Sequence, residues 1–223
     1  MDNELQKSFP KRMLADLTSP KALESIKNFS QIMMMYNCAI REVRTKFEVL
    51  NDELSTTTNR NPIEMIKSRV KKPESIVNKI SRRGFEINLD TIMNKLHDVA
   101  GVRIICSFID DIYRVAEMFA IQDDVTVLEV KDYIKNPKDN GYRSYHMIVE
   151  VPVFFSNKKQ NIKVEVQLRT IAMDFWASLE HSMKYKKDVP NAEEIAGELR
   201  ACADLICEAD FRMQEINYKI NNE

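Results

Sequence analysis

Two short runs carry side chains able to hold a nucleotide. Asn140-Gly141-Tyr142-Arg143-Ser144-Tyr145-His146 supplies aromatic rings, a guanidinium and an imidazole. About twenty residues later Val164-Glu165-Val166-Gln167-Leu168-Arg169 supplies a carboxylate, an amide and a second guanidinium. Such groups can stack on a purine, neutralise phosphates and bind a metal ion. Strand alternation sorts them without any structure: Lys163, Glu165, Gln167 and Arg169 share one face, and Ile162, Val164, Val166 and Leu168 the other. A half-buried antiparallel strand with a wet face would read the same way. Upstream, however, Tyr142, Ser144, His146 and Glu150 repeat the parity against Met147, Val149 and Val151. If the two strands pair, their polar faces adjoin and floor a cleft.

A carboxylate at the start of a strand suits Mg²⁺, which takes one or two carboxylates and completes its shell with phosphate oxygens and water. Asp98, ahead of the apolar run beginning at Val99, is such a residue. Alone it reads as an ordinary connector; with Glu165 it forms a candidate pair for metal binding and proton abstraction. Between positions 69 and 83 lie Arg69, Lys71, Lys72, Lys79, Arg82 and Arg83. Arg69 and Lys71 share one side of an extended segment, and Lys79 falls on the helix that follows. Together they suggest a triphosphate cradle made of side chains, since no P-loop glycines occur. Arginine can also stack on a purine. Arg82 and Arg83 read as a solvated face. His97-Asp98 is superficially like the metal pair of HD phosphohydrolases, but that site needs histidines further upstream, and His97 is the first in the chain. No hydrolase activity is expected. His181 reads as a structural hydrogen-bonder, and Phe175, Trp176 and Leu179 as core.

The elements that must position these groups follow from periodicity. Ser19-Pro20 predicts a capped helix start, and apolar residues at three- and four-residue steps from Leu23 to Leu54 predict one long amphipathic helix over 20–54. Ile63 to Lys71 reads as a short edge strand, Pro73 as a helix start with Gly84 as its stop, and Leu89 to Leu96 as a short helix. Val99 to Phe108 is a buried strand, Asp110 to Ile121 a helix, and Val125 to Tyr133 a strand. Tyr145 to Phe155 and Ile162 to Arg169 are strands joined by a hairpin near Ser156-Asn157-Lys158-Lys159. Ile171 to Tyr185 is a helix, and another runs from about Pro190 almost to the end. The expected fold is α+β or α/β, a mixed sheet of about five strands flanked by helices, with long helices at both termini. Residues 1–223 are expected to form one domain: helix 20–54, catalytic core 63–185 and helix 190–222.

Composition narrows the class. At 223 residues, 44% hydrophobic and 30% charged, the chain can bury a core and is not a disordered one. Net charge is −1, so no global field draws nucleic acid or membrane, and an anionic ligand must be held locally. Cys38, Cys106, Cys202 and Cys207 form no C-x-x-C pair and read as buried free thiols. Met1-Asp2-Asn3-Glu4 lacks an apolar signal core, and no run reaches membrane-span length. A cytoplasmic protein without membrane contact is expected. Twelve methionines, among them Met33 to Met35, suggest a subunit interface.

Four motifs occur in order: Lys131-Asp-Tyr-Ile-x-Asn-Pro-Lys138, Asn140 to His146, Val164-Glu-Val-Gln-Leu-Arg-Thr170, and Ala172-Met-Asp-Phe-Trp-Ala-Ser-Leu-Glu-His181. Together they resemble the RelA/SpoT synthetase domain. With Ser68-Arg-Val-Lys71, Asp98-Val-Ala-Gly-Val-Arg103 and no room for accessory domains, the chain is most similar to the stand-alone small alarmone synthetases of the RelQ type. The resemblance covers about residues 20 to 220. It implies transfer of pyrophosphate from ATP to the ribose 3′-hydroxyl of GDP or GTP, with GMP as a further acceptor, giving (p)ppGpp and AMP. It further implies Mg²⁺, with Mn²⁺ as a substitute, on Asp98 and Glu165, and Glu165 as the group that assists the metal or deprotonates the hydroxyl. Arg69 and Arg103 would sandwich adenine; Lys71, Ser75 and Lys79 would meet the ATP phosphates. Tyr142 would stack on guanine, Lys131, Lys138 and His146 would face the acceptor phosphates, and Gln167 and Arg169 would support the site. Asp174 stands where relatives often have asparagine, so an effect on acceptor preference is expected. Ser68 replaces a glycine near a segment that, in the RelQ type, helps form an allosteric pppGpp site inside a homotetramer. Ser68 is thus a departure from the pattern of that regulation; a homotetramer is expected from the long terminal helices and the resemblance, with alarmone or RNA as candidate regulator.

Two other readings remain open at the level of sequence. One is an RNA-binding module using the basic cluster with Tyr133, Tyr142 and Tyr145 as stacking platforms. The other is a nucleotidyltransferase with a different acceptor, such as tRNA.

Overall fold

A computed structural model describes residues 20–58, 60–184 and 191–221. The expected serine cap at Ser19, the helix start at Pro190 and the acidic amino-terminal segment lie outside the described residues. Among the described residues the order is α1 (Pro20–Thr58), β1 (Ile63–Val70), α2 (Pro73–Arg82), α3 (Leu89–Lys95), β2 (Ala100–Cys106), α4 (Ile109–Ala120), β3 (Thr126–Asp132), β4 (Tyr145–Phe154), β5 (Lys159–Thr170), α5 (Ile171–Lys184) and α6 (Ala192–Asn221). Gly84 ends α2 with φ +69°, as its position predicts.

The five strands form one mixed sheet in the order β1-β2-β5-β4-β3. Only β2 and β5 run parallel; β1–β2, β3–β4 and β4–β5 are antiparallel. One face is apolar. Register aligns Val102 with Val166, Ile104 with Leu168, Met147 with Val166 and Val149 with Val164, and all of these are buried. Helices α1 and α4 cover this face. Val43, Phe47 and Leu54 of α1 and Ile112, Val115 and Phe119 of α4 are buried there, and the Phe47 and Phe119 rings stack at 4.3 Å. Long amphipathic helices form because they have this face to bury; their polar sides stay in water.

Several expectations change. Met35 is buried in the core and Met33 packs against it, so only Met34 of that trio is exposed. Of Phe175, Trp176 and Leu179, only Trp176 is buried. Phe175, Leu179 and Met183 instead form an exposed stripe at four-residue steps on α5. All four cysteines are free, but only Cys106 is buried, and burial pushes its thiol up. No described helix is long and apolar enough to cross a membrane.

Candidate active site

The other face of the sheet is polar, and register arranges it in two rows. In one row Lys67 faces Arg103, Arg103 faces Gln167, Gln167 faces His146, and His146 faces Lys131. In the next row Arg69, Gly101, Glu165, Ile148 and Glu129 succeed one another. Residues from five strands thus line one surface. The glycine in the second row leaves the space beside Glu165 open.

Asp98 precedes β2, where Lys71 donates its backbone N–H to Val99 O at 2.8 Å. This contact fixes the segment that carries the carboxylate. Lys71 Nζ and Lys79 Nζ both donate to Asp98 Oδ2, each at 2.5 Å. Burial pushes the Asp98 carboxyl up, but the two ammonium groups outweigh it and hold it below the ordinary carboxylate range. Glu165 is governed in the same way. Burial and the charge of Asp98 push it up, while His146 and Gln167 win and hold it below its ordinary value. Both carboxylates are therefore ionised at neutral pH. Behind them Tyr36, from α1, is pushed up to about 12 by burial and by the charge of Asp98.

Two clefts open on either side of this pair. The first, of about 400 Å³, is lined by Lys67, Arg69, Lys71 and Arg103 among others. The second, of about 380 Å³, is lined by Lys79, Lys131, Lys138 and His146, with Arg83, Lys95, His97 and Tyr133. Asp98 and Glu165 line both. Each volume lies within the range of small-ligand sites, so two ligands can meet at one pair of carboxylates. That pair suits a divalent ion. Asp98 Oδ1 is buried without a hydrogen-bond partner among the described residues, and a buried carboxylate oxygen without a donor is costly unless a cation meets it. Mg²⁺ needs no third protein carboxylate where phosphate oxygens are present.

A chain of polar contacts links the clefts beneath their floor. Asp174, from α5, receives Lys67 Nζ at 2.8 Å, Arg103 Nη1 at 2.9 Å and Arg169 Nη1 at 3.3 Å. Arg169 Nη2 donates to the Tyr142 hydroxyl at 2.5 Å, and that hydroxyl lies 2.8 Å from His146 Nε2. His146 Nδ1 lies 3.6 Å from Glu165 Oε1.

The site residues read from the sequence are placed unequally. Asp98, Glu165, Arg69, Lys71, Arg103, Lys79, Lys131, Lys138 and His146 line the clefts. Gln167 lines the first cleft, not the second where guanine was expected. Ser75 is exposed on α2 and lines neither. Tyr142, Arg169 and Asp174 also line neither and stand behind the surface, joined as described above. Ser144, expected on the wet face, is fully buried and donates to Leu168 O at 3.2 Å. His181 is exposed and lines neither cleft. Arg83, read as a solvated residue, lines the second cleft. Lys67 was missed, although it lies two residues before Arg69 and the same parity rule finds it; Tyr133, named from the sequence only as a stacking platform for RNA, lines the second cleft. Arg83, Lys95 and His97 reach the cleft from helix ends, and no local pattern marks them.

Comparison with known proteins fits this geometry. The family model described as "Region found in RelA / SpoT proteins" matches residues 68–189. GTP pyrophosphokinase YwaC of Bacillus subtilis is 44% identical over 198 residues, covering 88% of this chain and 93% of that protein. Small alarmone synthetase 2 from B. subtilis superimposes with a TM-score of 0.75 at 46% identity, over 84% of this chain and 97% of that one. Small alarmone synthetase 1 from B. subtilis, bound to its product pppGpp, does so with a TM-score of 0.79 at 34% identity, over 87% and 98%. Sequence motifs, sheet order and solved relatives converge: the chain belongs to the RelA/SpoT family, in its small alarmone synthetase branch.

Proposed function

We propose that the protein is a GTP pyrophosphokinase that moves the β,γ-pyrophosphate of ATP to the 3′-hydroxyl of a guanine nucleotide. GDP and GTP are the acceptors, with GMP as a further one, and AMP is the leaving product. The observation that carries this reading is that Asp98 and Glu165 border both clefts at once. A reaction joining two nucleotides needs its base and its charge-neutralising groups at that border.

The chemistry follows from positioning and charge. ATP takes the first cleft, with Arg69 and Arg103 against adenine and Lys71 on the phosphates; Lys79, expected with them, lines the second cleft instead and meets the transferred phosphates only at the border, beside Asp98. The acceptor takes the second, facing Lys131, Lys138 and His146. Glu165, held ionised, accepts the proton of the 3′-hydroxyl as its oxygen bonds to the β-phosphorus. The bond from that phosphorus to the α,β-bridging oxygen breaks, and AMP departs. His146, braced by the Tyr142 hydroxyl, orients Glu165. Asp98 Oδ1 and Glu165 would hold Mg²⁺, or Mn²⁺ in its stead, whose charge polarises the transferred phosphates.

The test measures AMP formation from labelled ATP, resolved by thin-layer chromatography. AMP should appear only with a guanine nucleotide and a divalent ion, and chelation should stop it. Glu165→Gln should lower the rate by about a hundredfold or more with the thermal midpoint retained. Parental activity in that variant sinks the assigned role, and transfer of AMP instead of pyrophosphate sinks the reaction.

We also propose a homotetramer. Its support is apolar surface on the last two helices: Phe175, Leu179 and Met183 on α5, and Met213, Ile216 and Ile220 on α6, all exposed in the single chain.

A further inference from the structure

The loop 138–144 carries Lys138 and Tyr142, and its outer side rests on the last two helices. Gly141 has φ +83°, and a Cβ there would stand 2.4 Å from Ala203 Cβ and 3.2 Å from Arg200 Cδ. The loop backbone therefore lies directly on α6, at a point where neither partner has room to grow. Arg200 Nη1 donates to Asp139 O at 2.8 Å, and its Nε lies 3.2 Å from Asp204, one turn on. Asn140 ties the same loop to α5: its Nδ2 donates to Glu180 Oε1 at 2.9 Å, while its Oδ1 accepts the Tyr142 N–H at 3.2 Å. Tyr142 and Ile206 pack on a small apolar cluster of Trp176, Ala177 and Ala203, apart from the main core. Trp176 Nε1 donates to Leu199 O at 2.9 Å, so α5 and α6 are joined at that level. Arg143, 6% exposed, lies over the Phe211 ring at 5.1 Å.

None of the residues lining the first cleft comes from α6; they come from β1, β2, β5 and the segments next to β1 and β2. One cleft is thus built on the sheet. The loop bordering the other is built on the C-terminal helix. We infer that Arg200 and Ala203 are positioning residues for the acceptor: by fixing loop 138–144 they set the affinity for the guanine nucleotide and leave ATP affinity alone. This rests on reading the second cleft as the acceptor site. Ala203 is small because the glycine backbone must touch the helix. Arg200 donates from α6 to that backbone.

The experiment is initial-rate kinetics on the full chain, with KM for ATP and for GDP determined separately. Arg200→Ala and Ala203→Leu are compared with Arg212→Ala, which sits on the same helix in an exposed pair with Glu208. In parallel, GDP is titrated against the emission of Trp176, the only tryptophan, which lies in the cluster beneath Tyr142. Both loop variants should raise KM for GDP by about tenfold and shift the fluorescence midpoint in step, with KM for ATP unchanged; in Arg200→Ala the thermal midpoint should stay at the parental value. Arg212→Ala should match the parent. Because the leucine variant can fail to fold, Arg200→Ala decides alone if it must. Equal rises in both KM values, or an unchanged KM for GDP in Arg200→Ala, overturn the inference while the proposed activity stands. A parent protein without guanine-dependent AMP release overturns the activity and this inference together.

Discussion

Asp174 is the residue whose role changed most between sequence and structure. Its extra negative charge was expected to face the acceptor and tune its choice. Instead the carboxylate is surrounded by Lys67, Arg103 and Arg169. Burial pushes it up, but the lysine hydrogen bond and the charges of Lys67 and the two guanidinium groups outweigh it and hold it below its ordinary value. It therefore reaches the first cleft through Lys67 and Arg103, and the loop that borders the second through Arg169 and Tyr142. Arg169 is 5% exposed at its side chain, and burial draws its guanidinium down from its usual value. Removing the counter-charge leaves that cation desolvated. Asp174→Asn should cost about 3 kcal/mol in urea unfolding at neutral pH. The sign with pH is fixed: a carboxyl with a depressed folded value stabilises above its unfolded value, and the stabilisation is lost as pH falls through the folded one. The difference between parent and variant should shrink on acidification below the ordinary carboxylate range. A gap that stays constant with pH would show that the charge is not what stabilises. The variant should also weaken ATP and GDP binding together, in contrast to Arg200→Ala.

Among the elements, the paired covering of the sheet by α1 and α4 keeps its polar face rigid. Strands β2, β4 and β5 present most of their apolar side chains to these helices, so a cavity between them loosens the frame of both clefts. Phe47, fully buried and stacked on Phe119, is the centre of that layer. Phe47→Ala should lower stability by about 3–5 kcal/mol, measured by chemical unfolding. A loss under about 1 kcal/mol would mean the layer repacks freely. These elements were legible because each shows its own period. Alternation in Ile162 to Arg169 separated core from polar face before any coordinates, and on that face Glu165 and Gln167 line the site's clefts while Lys163 and Arg169 line neither; the three- and four-residue steps of α1 predicted its buried face. Ser144 broke the rule because β4 starts only at Tyr145, so parity no longer governs where its side chain goes.

For the molecule as a whole, charge is local. The net charge of −1 conceals Lys67, Arg69, Lys71, Lys79, Arg83, Lys95, Arg103, Lys131 and Lys138 at two adjoining clefts. Focused positive charge of that kind binds polyphosphates without drawing every polyanion, which supports a nucleotide enzyme over a general RNA binder. Light scattering at micromolar concentration should give four times the 26.0 kDa chain mass. A monomer mass would exclude the tetramer and leave the apolar stripes of α5 and α6 without that explanation.

Local pattern in the chain was enough to determine the strands and helices, the polar parity of β4 and β5, and the motifs that mark the family, because each depends on neighbours a few residues away. Three things were settled by tertiary structure. Strand order placed β5 between β2 and β4, which set Glu165 across from Gly101 and brought it to the same border as Asp98. Packing of α5 put Asp174 beneath the floor instead of in the cleft. The landing of α6 on Gly141 made loop 138–144 depend on the far end of the chain. All three are contacts between residues distant in sequence, chosen by which apolar faces must be buried together, and no local period encodes that choice.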